Sequence, residues 1–197
     1  MLIGVLALQG TFIEHYNALS KLKDVNSDLD VILVKKKSEL MLVDGLIIPG
    51  GESTTIRKLL NIFDLLEPLK KRISEKMPVY GTCAGLILLA KNIVSEDSCL
   101  NAIDVLVRRN AFGSQIASFK TEMVIKEFSN SPIELVFIRA PWIERTGPNV
   151  KILATYDDKV IAAREGNVLV TSFHPEFTNN LAVHNYFIEM VKKTLTK

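Results

Sequence analysis

The first 90 residues alternate short, almost wholly apolar runs with longer stretches of helical periodicity, and few folds accept that rhythm. LIGVLAL (2–8) is a continuous leucine-rich and β-branched run ended by Gly10, as expected of a strand buried on both faces. TFIEHYNALSKL (11–22) then sets Phe12, His15, Tyr16, Leu19 and Leu22 at helical spacing. LDVILVK (29–35) and VDGLIIPGG (43–51) read as two more strands, the second closed by a Pro-Gly-Gly breaker. A helix is expected through 56–76, capped by Ser53, Thr54 or Thr55 and broken or bent near Pro68. PVYG (78–81) makes a fourth strand and AGLILLAKNIV (84–94) a further helix. Strands that alternate with helices need right-handed crossovers, which build a mostly parallel sheet.

The second half changes rhythm. Runs at 103–108, 121–127, 134–138, 151–156, 159–164 and 168–173 are strand-like with short connections, which suits antiparallel hairpins beside the parallel core. NLAVHNYFIEMVKKTL (180–195) closes the chain as an amphipathic helix. With 197 residues and no linker or repeat, the expectation is a single domain over 1–197. Its class is α/β: a doubly wound, flavodoxin-like, mostly parallel sheet flanked by helices, with antiparallel additions in the second half.

Ligands of such sheets bind outside the carboxyl ends of the strands. Three unusual segments fall there: PGGEST (49–54), GTCAG (81–85) and SFHPEF (172–177). GTCAG has the Gly-x-nucleophile-x-Gly pattern of a strand-to-helix elbow, with cysteine in place of serine. Gly81 and Gly85 leave room for the tight turn and the close helix, and the helix start favours a thiolate at Cys83. A thiol nucleophile benefits from a base, and His174 ends an apolar strand with Pro175 fixing the backbone behind it. Glu176, two residues on, lies on the same side of an extended segment and would orient the imidazole. PGGEST lacks the Gly-Lys-Ser/Thr of a phosphate loop, and Glu52 would repel phosphate. Its two glycines suit instead a tetrahedral oxyanion formed next to Cys83.

Other classes of function are disfavoured. A net charge of +2 offers no field for nucleic acid, and the triplet Lys35-Lys36-Lys37 reads as a solvated strand end. No apolar stretch approaches the roughly 18 residues of a membrane span. No basic n-region precedes the apolar start, so Cys83 and Cys99 are expected as free thiols in a reducing cytoplasm. There is no C-x-x-C or H-x-x-x-H, and the three histidines lie far apart in sequence, so no metal is expected.

GVLALQG, PGGEST, YGTCAG, RRNAFGSQ, FIRAP and FHPE, in that order over nearly the whole chain, resemble the glutaminase subunit of pyridoxal 5′-phosphate synthase. That family belongs to the triad (class I) glutamine amidotransferases. G-x-C-x-G with H-P-E is common to the class, and LALQG, RNAFG and FIRAP narrow the resemblance to the vitamin B6 branch. The resemblance implies hydrolysis of L-glutamine to glutamate and ammonia, with no cofactor. The ammonia would pass to a (β/α)-barrel synthase subunit in a hetero-oligomer that builds pyridoxal phosphate from a pentose phosphate and a triose phosphate. By motif, Cys83 is the nucleophile and His174 and Glu176 its relay. Gly51, Glu52, Ser53, Arg109, Ile138 and Arg139 would line the glutamine site. Gln9 and Gly10 are similar to the part of the family that faces the partner, and the Gly50-Gly51 loop would rearrange in the complex. The chain departs from the family pattern at Lys120, where an acidic residue is usual, and at LNAID (100–104), where a glycine is common.

Two competing readings share parts of this constellation. Another triad amidotransferase or a free-standing γ-glutamyl hydrolase would use the same Cys83, His174 and Glu176. A non-enzymatic, redox-sensing protein on a flavodoxin-like sheet would use Cys83 as an oxidisable thiol, leaving Glu176 and the glycine loop unexplained.

Overall fold

The computed structural model describes residues 1–109 and 118–196. In chain order the first half runs β1 (Leu2–Leu6), α1 (Phe12–Lys23), β2 (Asp30–Val34), α2 (Lys37–Leu40), β3 (Gly45–Ile48), α3 (Ser53–Ile62), α4 (Leu66–Ser74), β4 (Val79–Thr82) and α5 (Ala84–Leu89). It continues through β5 (Ala90–Ile93), β6 (Ile103–Arg108), β7 (Ser118–Met123), β8 (Ile133–Ile138), β9 (Trp142–Thr146), β10 (Lys151–Tyr156), β11 (Lys159–Glu165) and β12 (Val168–Thr171). A 3-10 turn (Pro175–Phe177) and α6 (Ala182–Leu195) end the chain.

The main sheet has the order β2-β1-β3-β4-β12-β11-β9-β6-β5, with β10 added on β11. From β2 to β12 every pairing is parallel, and β12, β11, β9 and β6 pair antiparallel in turn. The parallel core is thus the flavodoxin-like arrangement expected, with antiparallel additions on one side.

Period-two alternation distributes the buried strands between two apolar layers. Leu46, Ile48, Val79, Val168 and Val170 pack with Ile56, Leu60 and Leu69 of α3 and α4. Ile47, Tyr80 and Leu169 face the other way, onto Leu19 and Leu22 of α1 and Phe187 and Val191 of α6. Fully burying one such aliphatic side chain is worth about 1.5–3 kcal/mol, and the threonines of β4 and β12, Thr82 and Thr171, come only at their carboxyl ends.

Several expectations need correcting. The long helix breaks at residues 63–65, not at Pro68. Asp64 takes a left-handed backbone (φ 52°), and the N–H of Leu65 and of Asp64 reach back to the carbonyls of Leu60 and Asn61, a Schellman ending. Pro68 sits in the first turn of α4, where a missing N–H costs nothing. The helix after Cys83 stops at Leu89, because the carbonyls of Leu88 and Leu89 accept from the N–H of Leu100 and Ala102. The chain then leaves as β5, parallel to β6. The strand expected over 121–127 lies earlier, as β7 (Ser118–Met123); it pairs antiparallel with β8, the hairpin expected beside the parallel core, in a two-stranded sheet of its own. β9 was not anticipated; its sequence, WIERT, has neither alternation nor a continuous apolar run. The lysine triplet is exposed where β2 ends and α2 begins. Among the described residues, no helix is long and apolar enough to cross a membrane.

Candidate active site

β3, β4 and β12 are neighbours, and their carboxyl ends deliver the three unusual segments to one place. Cys83 follows β4 at a sharp corner with φ 48° and ψ −99°, a strained backbone for a non-glycine residue. The corner is held by the N–H of Cys83 on the carbonyl of Thr171 (2.9 Å), which ties β4 to β12. Gly85 lets α5 press onto the sheet: a Cβ there would lie 2.2 Å from the carbonyl oxygen of Ile48. Cys83 is 7% exposed, and its Sγ lies 3.9 Å from the carbonyl oxygen of Ile138 at the end of β8.

His174 leaves β12 with its N–H on the carbonyl of Val136 (2.8 Å), so β8 fixes His174 as well as the wall beside the thiol. Glu176 reaches His174 differently from the expectation. The segment is a 3-10 turn, not an extended strand, and the turn folds the carboxylate back so that His174 Nδ1 lies 2.7 Å from Glu176 Oε1. The hydroxyl of Thr11 donates to the same oxygen at 2.7 Å. Burial alone would raise the carboxyl's pKa, but His15, His174 and Thr11 overcome it and hold Glu176 down to about 2. At His174 burial acts to lower the pKa, and interactions with Cys83 and Glu176 overcome it, raising it to about 10. The ring is therefore an imidazolium at neutral pH. Its Nε2 is buried without a hydrogen-bond partner among the described residues, which leaves that nitrogen for the sulfur of Cys83.

The glycine loop packs directly on this pair. A Cβ at Gly50 would lie 2.3 Å from His174 Cε1, so only glycine fits. The carbonyl of Gly50 accepts from the N–H of Thr11 (3.0 Å), and Gln9 Oε1 accepts from the N–H of Glu52 (2.9 Å). A trans peptide points its C=O and N–H in opposite directions, so the N–H of Gly51 is aimed away from Thr11.

Glu52 is occupied in a way the sequence did not suggest. It caps α3, accepting from the N–H of Thr54 (3.1 Å) and Thr55 (2.7 Å) and from both hydroxyls. Burial works against ionisation, yet these four donors bring its pKa to about 2. Arg109 lies 3.3 Å from Glu52 Oε1 and grips Glu96 with two bonds of 2.8 and 2.9 Å. Arg108 points elsewhere, to Glu144. Ser53 is buried as the first residue of α3, and Gly51 is exposed. Arg139 is exposed, with a left-handed backbone (φ 46°), next to Ile138. Residues 110–117, most of the RNAFG motif among them, lie outside the described residues.

Sequence reasoning missed His15. The sequence set it at helical spacing with Phe12, Tyr16, Leu19 and Leu22 and gave it no role; its Nε2 is 3.4 Å from Glu176 Oε2.

The comparisons with known proteins agree with this geometry. Residues 5–193 match the model of the SNO glutamine amidotransferase family. The chain is 48% identical over 196 residues to "Pyridoxal 5'-phosphate synthase subunit PdxT" of Carboxydothermus hydrogenoformans, covering 99% of this chain and 100% of that one. It is 50% identical over 191 residues to the protein of the same name from Clostridium acetobutylicum, covering 96% of this chain and 100% of that one. A solved structure described as "Crystal structure of glutamine amidotransferase" superposes with a TM-score of 0.88 at 41% identity, covering 96% of this chain and 98% of that one. With fold, site geometry and near full-length similarity in agreement, the chain belongs to the SNO glutamine amidotransferase family.

Proposed function

We propose that this chain hydrolyses L-glutamine to glutamate and ammonia and supplies the ammonia to the (β/α)-barrel synthase subunit of a pyridoxal 5′-phosphate synthase hetero-oligomer. The observation that carries this reading is the convergence of Cys83, His174 and Glu176 against the Gly50-Gly51 turn. The partner is supported by relatives at 48–50% identity whose name is that of a synthase subunit. The cytoplasm suits the two free cysteines, Cys83 and Cys99.

Cys83 Sγ adds to the side-chain amide carbon of glutamine, and the carbonyl oxygen becomes an oxyanion. The N–H groups of Gly51 and of Ala84, the residue after the nucleophile, are its donors. His174 gives its Nε2 proton to the departing nitrogen, ammonia leaves, and a thioester remains. Water then loses a proton to His174 and attacks the thioester, releasing glutamate and restoring the thiolate–imidazolium pair. Glu176 holds the imidazole ring and does not itself take the proton.

Glutamine's α-carboxylate and α-ammonium need opposite charges, and Arg109 and Glu52 provide them beside one another. Gly51, Ser53, Ile138 and Arg139 complete the lining. Arg109 has to serve Glu96, Glu52 and the substrate together, and its fork of five donors permits that. Losing a charge-assisted contact costs about 1.5–3 kcal/mol, roughly 10- to 150-fold. Arg109→Ala is therefore expected to raise KM for glutamine by about that factor, with kcat much less affected. Glutamate release, measured with and without the synthase subunit, tests the whole reading: it should rise with the partner and accompany pyridoxal phosphate formation. Unchanged kcat/KM in Arg109→Ala moves the substrate elsewhere. No glutamate release in the mixed complex removes the activity itself. Turnover of γ-glutamyl peptides without a partner would favour the hydrolase reading.

A further inference from the structure

The three histidines, far apart in sequence, meet inside the protein. His15 on the inner face of α1 and His184 in the first turn of α6 are both fully buried. His15 Nδ1 lies 2.9 Å from His184 Nε2. On its other side, His15 Nε2 lies 3.1 Å from Thr82 Oγ1 and 3.4 Å from Glu176 Oε2. Thr82 is the residue before Cys83, and Glu176 Oε1 is the oxygen that holds His174. No part of the mechanism above needs His15 or His184.

Proton accounting decides what they do. Burial lowers the pKa of His15 and brings that of His184 to about 3, so both rings are neutral and carry one N–H each. His184 Nδ1 is buried without a partner among the described residues. A proton there would be an orphaned buried donor, which costs far more than a bare lone pair. The His184 proton is therefore on Nε2, donated to His15 Nδ1. That places the His15 proton on Nε2, facing Thr82 Oγ1 and Glu176 Oε2. Glu176 Oε2 is itself buried and makes no hydrogen bond among the described residues; the ring nitrogen of His15 stands before it at 3.4 Å, with its hydrogen bond on Thr82. One tautomer pair thus leaves no N–H unpaired and puts a donor before the unmet carboxylate oxygen.

We propose that His15, its tautomer set by His184, is a positioning residue that holds the second oxygen of Glu176 and thereby keeps the first on His174. This rests on the Cys83–His174–Glu176 relay proposed above. Thr11 and His15, four residues apart at the start of α1, thus meet one carboxylate at its two oxygens, Thr11 by a hydrogen bond of 2.7 Å and His15 by a contact of 3.4 Å. The groups facing His15 are His184 from α6, Thr82 and the edge of the Tyr80 ring from β4, and Glu176 from the 3-10 turn, with Glu14 beside it on α1 and His174 beyond. Tyr80 is occupied, its hydroxyl hydrogen-bonded to Thr171 Oγ1.

The test exploits the two ring positions. A glutamine amide nitrogen can stand near the imidazole Nε2, and an asparagine amide nitrogen stands near Nδ1. His15→Gln, His15→Asn and His15→Phe are assayed as glutaminases in complex with the synthase subunit. In His15→Phe and His15→Asn, kcat should fall about 10- to 100-fold, the scale of a misaligned catalytic group. KM should stay within about twofold, because His15 touches no substrate. The acid limb of kcat should move to higher pH, since a buried carboxylate that loses a donor is easier to protonate. His15→Gln should recover most of kcat and restore the acid limb. Equal losses in the Gln and Asn variants at matched melting temperature would make His15 a packing residue and overturn the proposal. A His15→Phe enzyme within twofold of wild type would do the same, as would three variants that all fail to fold. Cys83→Ala run alongside separates the two readings. Activity surviving there removes the relay, whereas a dead Cys83→Ala with an indifferent His15 series removes only this role.

Discussion

Replacing Cys83 by alanine is expected to abolish glutamine hydrolysis while leaving the fold and the partner complex intact. In the proposed reaction the sulfur is the atom that forms the thioester, and an alanine methyl cannot replace it. The alanine should also relieve a little of the crowding at a corner already strained at φ 48°. Added ammonium should restore pyridoxal phosphate formation in the mixed complex, because only the supply of ammonia is lost. Glutamate release by Cys83→Ala at more than background would remove Cys83 from the chemistry. Failure of ammonium to rescue would point to a broken complex instead.

His174→Asn is expected to be nearly as damaging, since members of a relay act as a unit and losses of about 10⁴-fold or more are usual. The His174–Glu176 pair also links stability to pH. His174 is raised from 6.5 to about 10, so its contribution is complete below 6.5 and lost as pH climbs towards 10. Glu176 is lowered from 4.5 to about 2, so its contribution is complete above 4.5 and lost as pH falls towards 2. A melting temperature in His174→Asn with the alkaline dependence of the wild type would contradict this account.

What was legible in the sequence is what local chemistry determines. A glycine-bracketed cysteine between a strand and a helix, a Pro-Gly-Gly turn and a His-Pro-Glu segment each carry their meaning within a few residues. The parallel order of β1, β3, β4 and β12 then brings them to one edge. The boundaries failed where long-range hydrogen bonds overrule propensity: α5 ends at Leu89 because the backbone of residues 100–102 takes its last carbonyls. His15 and His184 were unreadable for a related reason. Each sits on an apolar stripe, where a histidine is indistinguishable from packing until α1 and α6 are placed against the same end of β4. Glu52 was read by its charge, whereas its geometry at the start of α3 makes it a helix cap first.

The hairpin of β7 and β8 belongs to a hydrogen-bond framework of its own, yet it supplies the Ile138 carbonyl beside Cys83 and the Val136 carbonyl that anchors His174. A two-stranded ribbon is marginal alone, and this one leans on the stacked rings of Phe119 and Phe137 with Tyr156 and Phe173 beside them. Its opening is therefore a sub-global event, cheaper than unfolding the central strands. Native-state amide exchange should resolve it as a separate cooperative unit, with β7 and β8 exchanging before β3 and β4; a single common opening free energy for all four strands would refute the division. Cys83 thus stands at a seam between two units of unequal durability. Under heat or mild denaturant, the Cys83 thiol should lose its wall and His174 an anchor while the sheet beneath is still intact, so inactivation is expected to run ahead of denaturation.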